Sequence, residues 1–153
     1  MGSRHFRAGV VAVVRRPDGW VLAFERADVP GSWQLPQGGL ERAEAPVDAV
    51  WRELGEETGL GPDDVELRGE HPEWLLYQWP ANVVGDSARL GQVHRWFFFA
   101  PRRDEIEPTP DGREFRAWRW ADPNWLAEHV VPFRRPAYRA GLLGPAARTP
   151  TGS

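Results

Sequence analysis

The chain has 153 residues, with 19 basic and 22 acidic side chains and a formal net charge of -3. That length suffices for one domain with its own core, and the near-balanced charge excludes a global basic field that would recruit nucleic acid without specificity. Cysteine is absent, which excludes a disulfide framework and thiolate metal sites. Every basic residue is Arg, the better bidentate partner for phosphate, and nine Trp supply core bulk or stacking surfaces. No apolar run is long enough to span a bilayer. The opening MGSRHFRAGV lacks the apolar region of a signal peptide, so the expected location is cytoplasmic.

Residues 6–16 (FRAGVVAVVRR) read as a strand, with Val10, Val11, Val13 and Val14 supplying β-branched bulk. Pro17-Asp18-Gly19 signals a turn, and Trp20 to Phe24 return as the second strand of a hairpin. Residues 28–32 form a loop, and Trp33-Gln34-Leu35 a brief strand that leads into Pro36-Gln37-Gly38-Gly39. A helix is predicted over 46–58. Pro46 opens it, where a missing N–H costs little, and Gly59 stops it. Val47, Trp51 and Leu54 recur at helical spacing and predict its buried stripe. Residues 65–79 read as a strand broken by Pro72, and 80–91 as a polar loop. Gln92 to Ala100 are the strongest strand, and the Phe97-Phe98-Phe99 run predicts burial on both faces. Residues 101–113 read as a loop and 114–120 as a strand. Asp122 caps a helix to about His129, and Pro132 starts a last helix to about Leu143. Residues 143–153 carry no hydrophobic pattern and are expected to be disordered. The domain is expected to span 1–142. Strands, a helix, more strands and then helices predict an α/β (α+β) architecture, a mixed sheet sandwiched between helices.

The chemistry concentrates in the predicted helix of residues 46–58. Glu53, Glu56 and Glu57 stand at i, i+3 and i+4, which places them on one helix face. Three carboxylates so placed repel one another. A hard divalent cation relieves that repulsion, because Mg2+ takes oxygen ligands and substrate phosphates together. Gly38, five residues, Glu44, seven residues, and then Arg52-Glu53-Leu54-Gly55-Glu56-Glu57-Thr58-Gly59-Leu60 resembles the Nudix box at every defining position. The resemblance implies the Nudix fold. It also implies that Glu53, Glu56 and Glu57 hold metal, while Glu44 and Arg52 are structural and tie the loop to the helix. The backbone at Gly38 and Gly39 can then approach a polyphosphate closely.

The flanks resemble one branch of that family, the bacterial RNA pyrophosphohydrolases and dinucleoside polyphosphate hydrolases. They include Trp33 to Gly39, Trp74-Leu75-Leu76-Tyr77, Glu114-Phe115 and Val130 to Arg135. The branch resemblance implies a fourth metal-site carboxylate at Glu114. It implies a phosphate contact at Arg7, and substrate contacts at Tyr77, Phe133 and Arg134, with Phe133 stacking on a base. The loop before Trp33 holds Arg26 between Glu25 and Asp28, where the family is often more basic. His94 and His129 read as ordinary strand and helix residues. Glu53, Glu57 and Glu114 are the catalytic candidates, with Glu53 first choice as general base and Glu114 second. The expected cofactor is Mg2+ or Mn2+, two or more ions. The expected reaction is hydrolysis of a phosphoanhydride in a nucleoside polyphosphate, either a 5′-triphosphorylated RNA or a dinucleoside polyphosphate. Free-nucleotide housecleaning and a non-catalytic nucleotide-sensing module remain as alternatives. No membrane or obligate protein partner is expected.

Overall fold

The computed structural model describes residues 5–78 and 89–144. The elements in chain order are β1 (His5–Val14), β2 (Val21–Arg26), β3 (Trp33–Gln34), β4 (Gln37–Gly39), α1 (Pro46–Thr58), β5 (Val65–Glu70) and β6 (Leu75–Gln78). After them come β7 (Arg89–Pro101), β8 (Phe115–Ala121), α2 (Pro123–His129), a 3-10 turn (Pro132–Arg134) and α3 (Arg135–Leu143). The larger sheet runs β4-β1-β7-β5, with β6 also paired to β7, and the smaller runs β3-β2-β8. β1 and β7 are parallel while their other partners are antiparallel, so the larger sheet is mixed.

The alternation of side chains along a strand explains why two cores form. Val10, Ala12 and Val14 of β1 share one core with Phe97 and Phe99 of β7, under Val50 and Leu54 of α1. Val11 and Val13 share the other with Trp96 and Phe98, under Leu126 of α2 and Tyr138 of α3. The smaller sheet splits the same way, with Leu22 and Phe24 in the first core and Val21 and Ala23 in the second. The apolar run at 97–99 is thus buried on both faces, as its composition predicts. No helix among the described residues is long and apolar enough to cross a membrane.

The structure departs from the sequence reading in four places. The turn after β1 forms, with Gly19 at φ 94° and the Arg16 N–H donating to the Trp20 carbonyl at 2.9 Å. Beyond it, however, only Arg15 and Val21 bridge. Both edges of β1 are taken by β4 and β7, so β2 leaves to pair with β3 and β8 instead of completing a hairpin. β7 begins at Arg89, which makes 89–91 strand, not loop; residues 80–88 of the expected loop, and residue 79 of the strand expected before it, lie outside the described residues. Glu114 precedes β8, where Asp111 Oδ1 accepts the backbone N–H groups of Arg113, Glu114 and Phe115 at 3.0, 2.9 and 3.2 Å. Val47 is 38 % exposed, and the buried face of α1 is Ala49, Val50, Leu54, Glu57 and Thr58. Residues 145–153 of the expected disordered tail lie outside the described residues.

The α3 layer is packed to its limit at Gly141. A Cβ there would come within 2.5 Å of two ring atoms of Trp96, a side chain that is 1 % exposed and cannot yield. Ala is favoured over Gly in a helix by up to ~1 kcal/mol, but overpacking a dense core costs ~1–3 kcal/mol. Gly141→Ala is therefore expected to lower stability. Urea unfolding followed by Trp fluorescence measures it, and a midpoint at or above wild type would refute the packing argument.

Candidate active site

β4 lies antiparallel to β1, with Gly38 opposite Val10 and Gly39 opposite Gly9. Both glycines are required by close approach. A Cβ on Gly38 would collide with the Glu53 carboxylate, and one on Gly39 with the Arg7 guanidinium. The first turn after the sheet is thus laid directly against a helix carboxylate on one side and a cation on the other.

Arg52 joins these pieces. Its Nε and Nη2 donate to the two carboxylate oxygens of Glu44 at 2.9 and 2.8 Å, a bidentate fork. Nη1 donates to Glu53 Oε1 at 2.7 Å, and Nη2 also reaches the Gly39 carbonyl at 3.2 Å. Glu44 returns the tie by accepting the Glu41 N–H at 3.0 Å. The Arg52 hydrogen bonds hold the Glu44 carboxyl down to about 2, and the same pairing raises the guanidinium. The loop-to-helix role expected of Glu44 and Arg52 matches this geometry.

Glu57 sits behind Glu53 and is 6 % exposed. Its Oε2 accepts the Gln37 N–H at 3.3 Å. Burial pushes its pKa well up, and hydrogen bonding to Glu53 and the charges of Glu53 and Glu114 push it further. Glu53, Glu57 and Glu114 therefore interact, whereas Glu56 is 61 % exposed and turns toward Arg52 at 3.6 Å. Among the described residues no three acidic or histidine side chains converge into a ready-made cation cage. The donor set nonetheless fits a hard cation. It is all oxygen, brings Glu57 against Glu53 and Glu114, and stands beside Gln37 Oε1, a buried acceptor without a donor among the described residues.

The other wall comes from β6, β7 and the 3-10 turn. Arg7, Gln92 and Tyr77 lie in register on adjacent strands. The Tyr77 hydroxyl donates to Gln92 Oε1 at 2.9 Å, and His94 Nε2 meets the same oxygen at 2.8 Å. The rings of Tyr77 and Phe133 stand 5.4 Å apart. Arg7 is exposed, and among the described residues no carboxylate pairs with it. Arg134, in contrast, is 9 % exposed. Its guanidinium lies 5.2 Å from the Tyr77 centroid, and Nη1 donates to Gln34 Oε1 at 2.7 Å. It braces the aromatic pair from behind instead of facing solvent. His94 is pulled down to about 3 by burial and by Arg134, so its ring stays neutral, in keeping with a structural role.

Residues 5–141 match the NUDIX domain family. The chain belongs to the Nudix family. Members are hydrolases that generally use divalent cations, and this chain is an enzyme of the pyrophosphohydrolase class. An RNA pyrophosphohydrolase of Xanthomonas campestris pv. campestris is 42 % identical over 155 residues, covering 96 % of this chain and 75 % of the relative. Another from Stenotrophomonas maltophilia is 42 % identical over 156 residues, with the same coverage. The fold is shared with the dihydroneopterin triphosphate pyrophosphohydrolase of E. coli, at TM-score 0.72, 20 % identity, and 92 % and 99 % of the two chains. It is shared also with a C. elegans Ap4A hydrolase, at TM-score 0.66, 15 % identity, and 87 % and 93 %.

Two contacts around the site escape sequence reasoning. The Leu35 N–H donates to the Tyr138 hydroxyl at 2.9 Å, and burial pushes that phenol up to about 12. The Gln34–Arg134 bond spans a comparable separation along the chain. Both fasten the stretch before the box to the last helix. Such pairs leave no periodicity, so only the adjacency of Trp33 to Gly39 to the box hinted at them.

The depressed Glu44 carboxyl carries a pH signature. A carboxylate whose folded pKa lies below its ordinary value stabilises the fold above that ordinary value, and the contribution is lost as pH falls through the folded one. Wild type should therefore exceed Glu44→Gln in stability at pH 7, with the gap closing between about pH 5 and 2. Urea midpoints across that range test it; a gap independent of pH would contradict the ion-pair account.

Proposed function

We propose that this Nudix hydrolase removes the terminal phosphates from 5′-triphosphorylated RNA, releasing pyrophosphate and a 5′-monophosphorylated product. The observation that carries the reading is the 42 % identity to RNA pyrophosphohydrolases over 96 % of the chain. The Tyr77 and Phe133 rings support it, since an aromatic face beside a phosphate site suits an unstacked terminal base.

In this reading Glu53, Glu56, Glu57 and Glu114 hold two or more Mg2+ ions. Bound cations supply neutralisation of phosphate charge and a more acidic water. Glu53 is the first choice to take the proton of the attacking water and Glu114 the second. Arg7 faces the phosphates from β1, and the Gly38-Gly39 backbone permits their close approach. Phe133 stacks on the first base, and Arg134 keeps Phe133 and Tyr77 in place. We place the enzyme in the cytoplasm, where such substrates occur.

One observation favours a dinucleoside polyphosphate instead. Arg26 is held by Asp28 in a two-point contact at 3.0 and 2.8 Å, and its neighbour Glu25 is engaged by Arg116 at 2.9 Å. The loop before Trp33 thus offers a neutralised cation to an RNA backbone. Incubation with Mg2+ and, separately, a triphosphorylated RNA, diadenosine tetraphosphate and a free nucleoside triphosphate decides the matter. Faster pyrophosphate release from the RNA is expected; faster release of ATP and AMP from the dinucleotide would move the assignment.

Glu57 separates function from stability. Its raised pKa means that the fold prefers the protonated carboxyl, so its stability rises as pH falls and the charged form is a cost at neutral pH. Glu57→Gln should lower Mg2+-dependent turnover about a hundred-fold or more, yet leave the metal-free protein at least as stable as wild type at pH 7. Turnover within a few-fold of wild type would remove Glu57 from the metal set.

A further inference from the structure

A second cationic cleft, of about 640 Å3, lies at the opposite end of the larger sheet. It sits roughly 25 Å along β1 from Arg7, by the rise of a strand. Arg15 follows β1, Phe98 lies on β7, and Arg68 is the bulged residue of β5 opposite it. The Arg15 guanidinium stands 5.3 Å from the Phe98 centroid. Pro123 and Leu142 close the apolar side, and Arg16 stands at the rim.

The charges in this cleft are not balanced as they are elsewhere. Arg95, Arg103 and Arg116 each meet a carboxylate distant along the chain. Arg16 meets Asp18 in a two-point contact at 3.2 and 2.6 Å, and Arg68 meets Glu66 at 3.0 Å, each partner two residues away along the chain. Arg15 meets none among the described residues. Its partial burial lowers its pKa from the ordinary value, with nothing to oppose the effect. A partly desolvated cation without an acid suits an external anion.

We propose that this cleft is a second ligand site, separate from the box, that takes an organic phosphate of mononucleotide size. The phosphate lies between Arg15 and Arg68, and the base or sugar rests on Phe98, Pro123 and Leu142. The size follows from the volume, which falls in the range of small-molecule pockets. The phosphate can belong to a free nucleotide or to a nucleotide unit of an RNA chain, and two probes tell these apart.

The test uses the full chain in EDTA, titrated with AMP, with a 5′-monophosphorylated hexanucleotide, and with adenosine, and followed by two-dimensional NMR. Shifts are expected at Arg15, Arg68 and Phe98, separable from those at Gly38 and Gly39, with AMP or the hexanucleotide but not with adenosine. AMP alone identifies a free nucleotide and the hexanucleotide alone identifies RNA. Arg15→Gln should weaken the cleft response at least about ten-fold while turnover at the box stays unchanged. Arg103→Gln, an exposed arginine outside the cleft that pairs with Asp64, should leave both intact. Arg68→Gln gives the same reading should Arg15→Gln fold poorly. Absence of shifts in the cleft with every phosphate probe, or equal affinity in the Arg15 and Arg68 variants, overturns the proposal.

Discussion

One guanidinium makes the carboxylate-rich loop and helix compatible. Arg52 meets Glu44 and Glu53 directly, and Glu41 and Glu56 at 3.6 Å. Four carboxylates around one cation would scatter in water. Here Nε and Nη2 take both oxygens of Glu44, Nη2 also reaches the Gly39 carbonyl, and Nη1 holds Glu53. Lys has no such fork, so it could not reproduce the arrangement. Among these pairs Arg52 has none with Glu57, whose buried carboxyl is left to Glu53 and the Gln37 N–H.

That interaction works only if the loop lies flat on the helix, and the sheet sees to this. β1 fills both cores with alternate residues, which fixes its height between α1 and α3. β4 hydrogen-bonds to β1 opposite Gly9, so Gly38 and Gly39 inherit that height. From the other layer, the Tyr138 hydroxyl and Arg134 grip residues 34 and 35. The segment from Trp33 to Gly39 is thus held from both helical layers. Each clamp is a buried polar contact whose loss leaves an unsatisfied group, a larger cost than the net worth of the bond itself.

What could be read from the sequence was what has local period or fixed spacing. The α1 boundaries, the two-sided burial at Phe97 to Phe99 and the Asp122 cap all follow from residues a few positions apart, whereas the Glu44–Arg52 tie comes from the family resemblance. The buried stripe of α1 differs from the predicted one at Val47, which lies in the first turn and is exposed, while the buried face starts at Ala49. The expected hairpin failed for a different reason. Which strand pairs with β1 depends on competition for its edges, and β7, distant in sequence, wins one of them. Arg134 shows the same limit at the level of a side chain. The branch resemblance implies a substrate contact there, and the buried bond to Gln34 is what the sequence does not show.

Two of the four buried unpartnered side-chain atoms among the described residues lie at the candidate site; the others are Trp96 Nε1 and Arg135 Nε. Gln37 Oε1 and Arg134 Nε are buried without partners among the described residues, and Glu57 is buried with like charges beside it. All three flank the stretch before the box. An apolar filler would be more stable at such positions, so their presence places a demand on the site that the bare chain does not meet. The demand has two signs. The Glu53, Glu57 and Glu114 side is short of cations, and the Arg7 and Arg134 side is short of anions. A single ion satisfies one side and aggravates the other, whereas a polyphosphate carried with divalent cations satisfies both in one event. On the proposed function, that is the ligand these two sets of residues call for together.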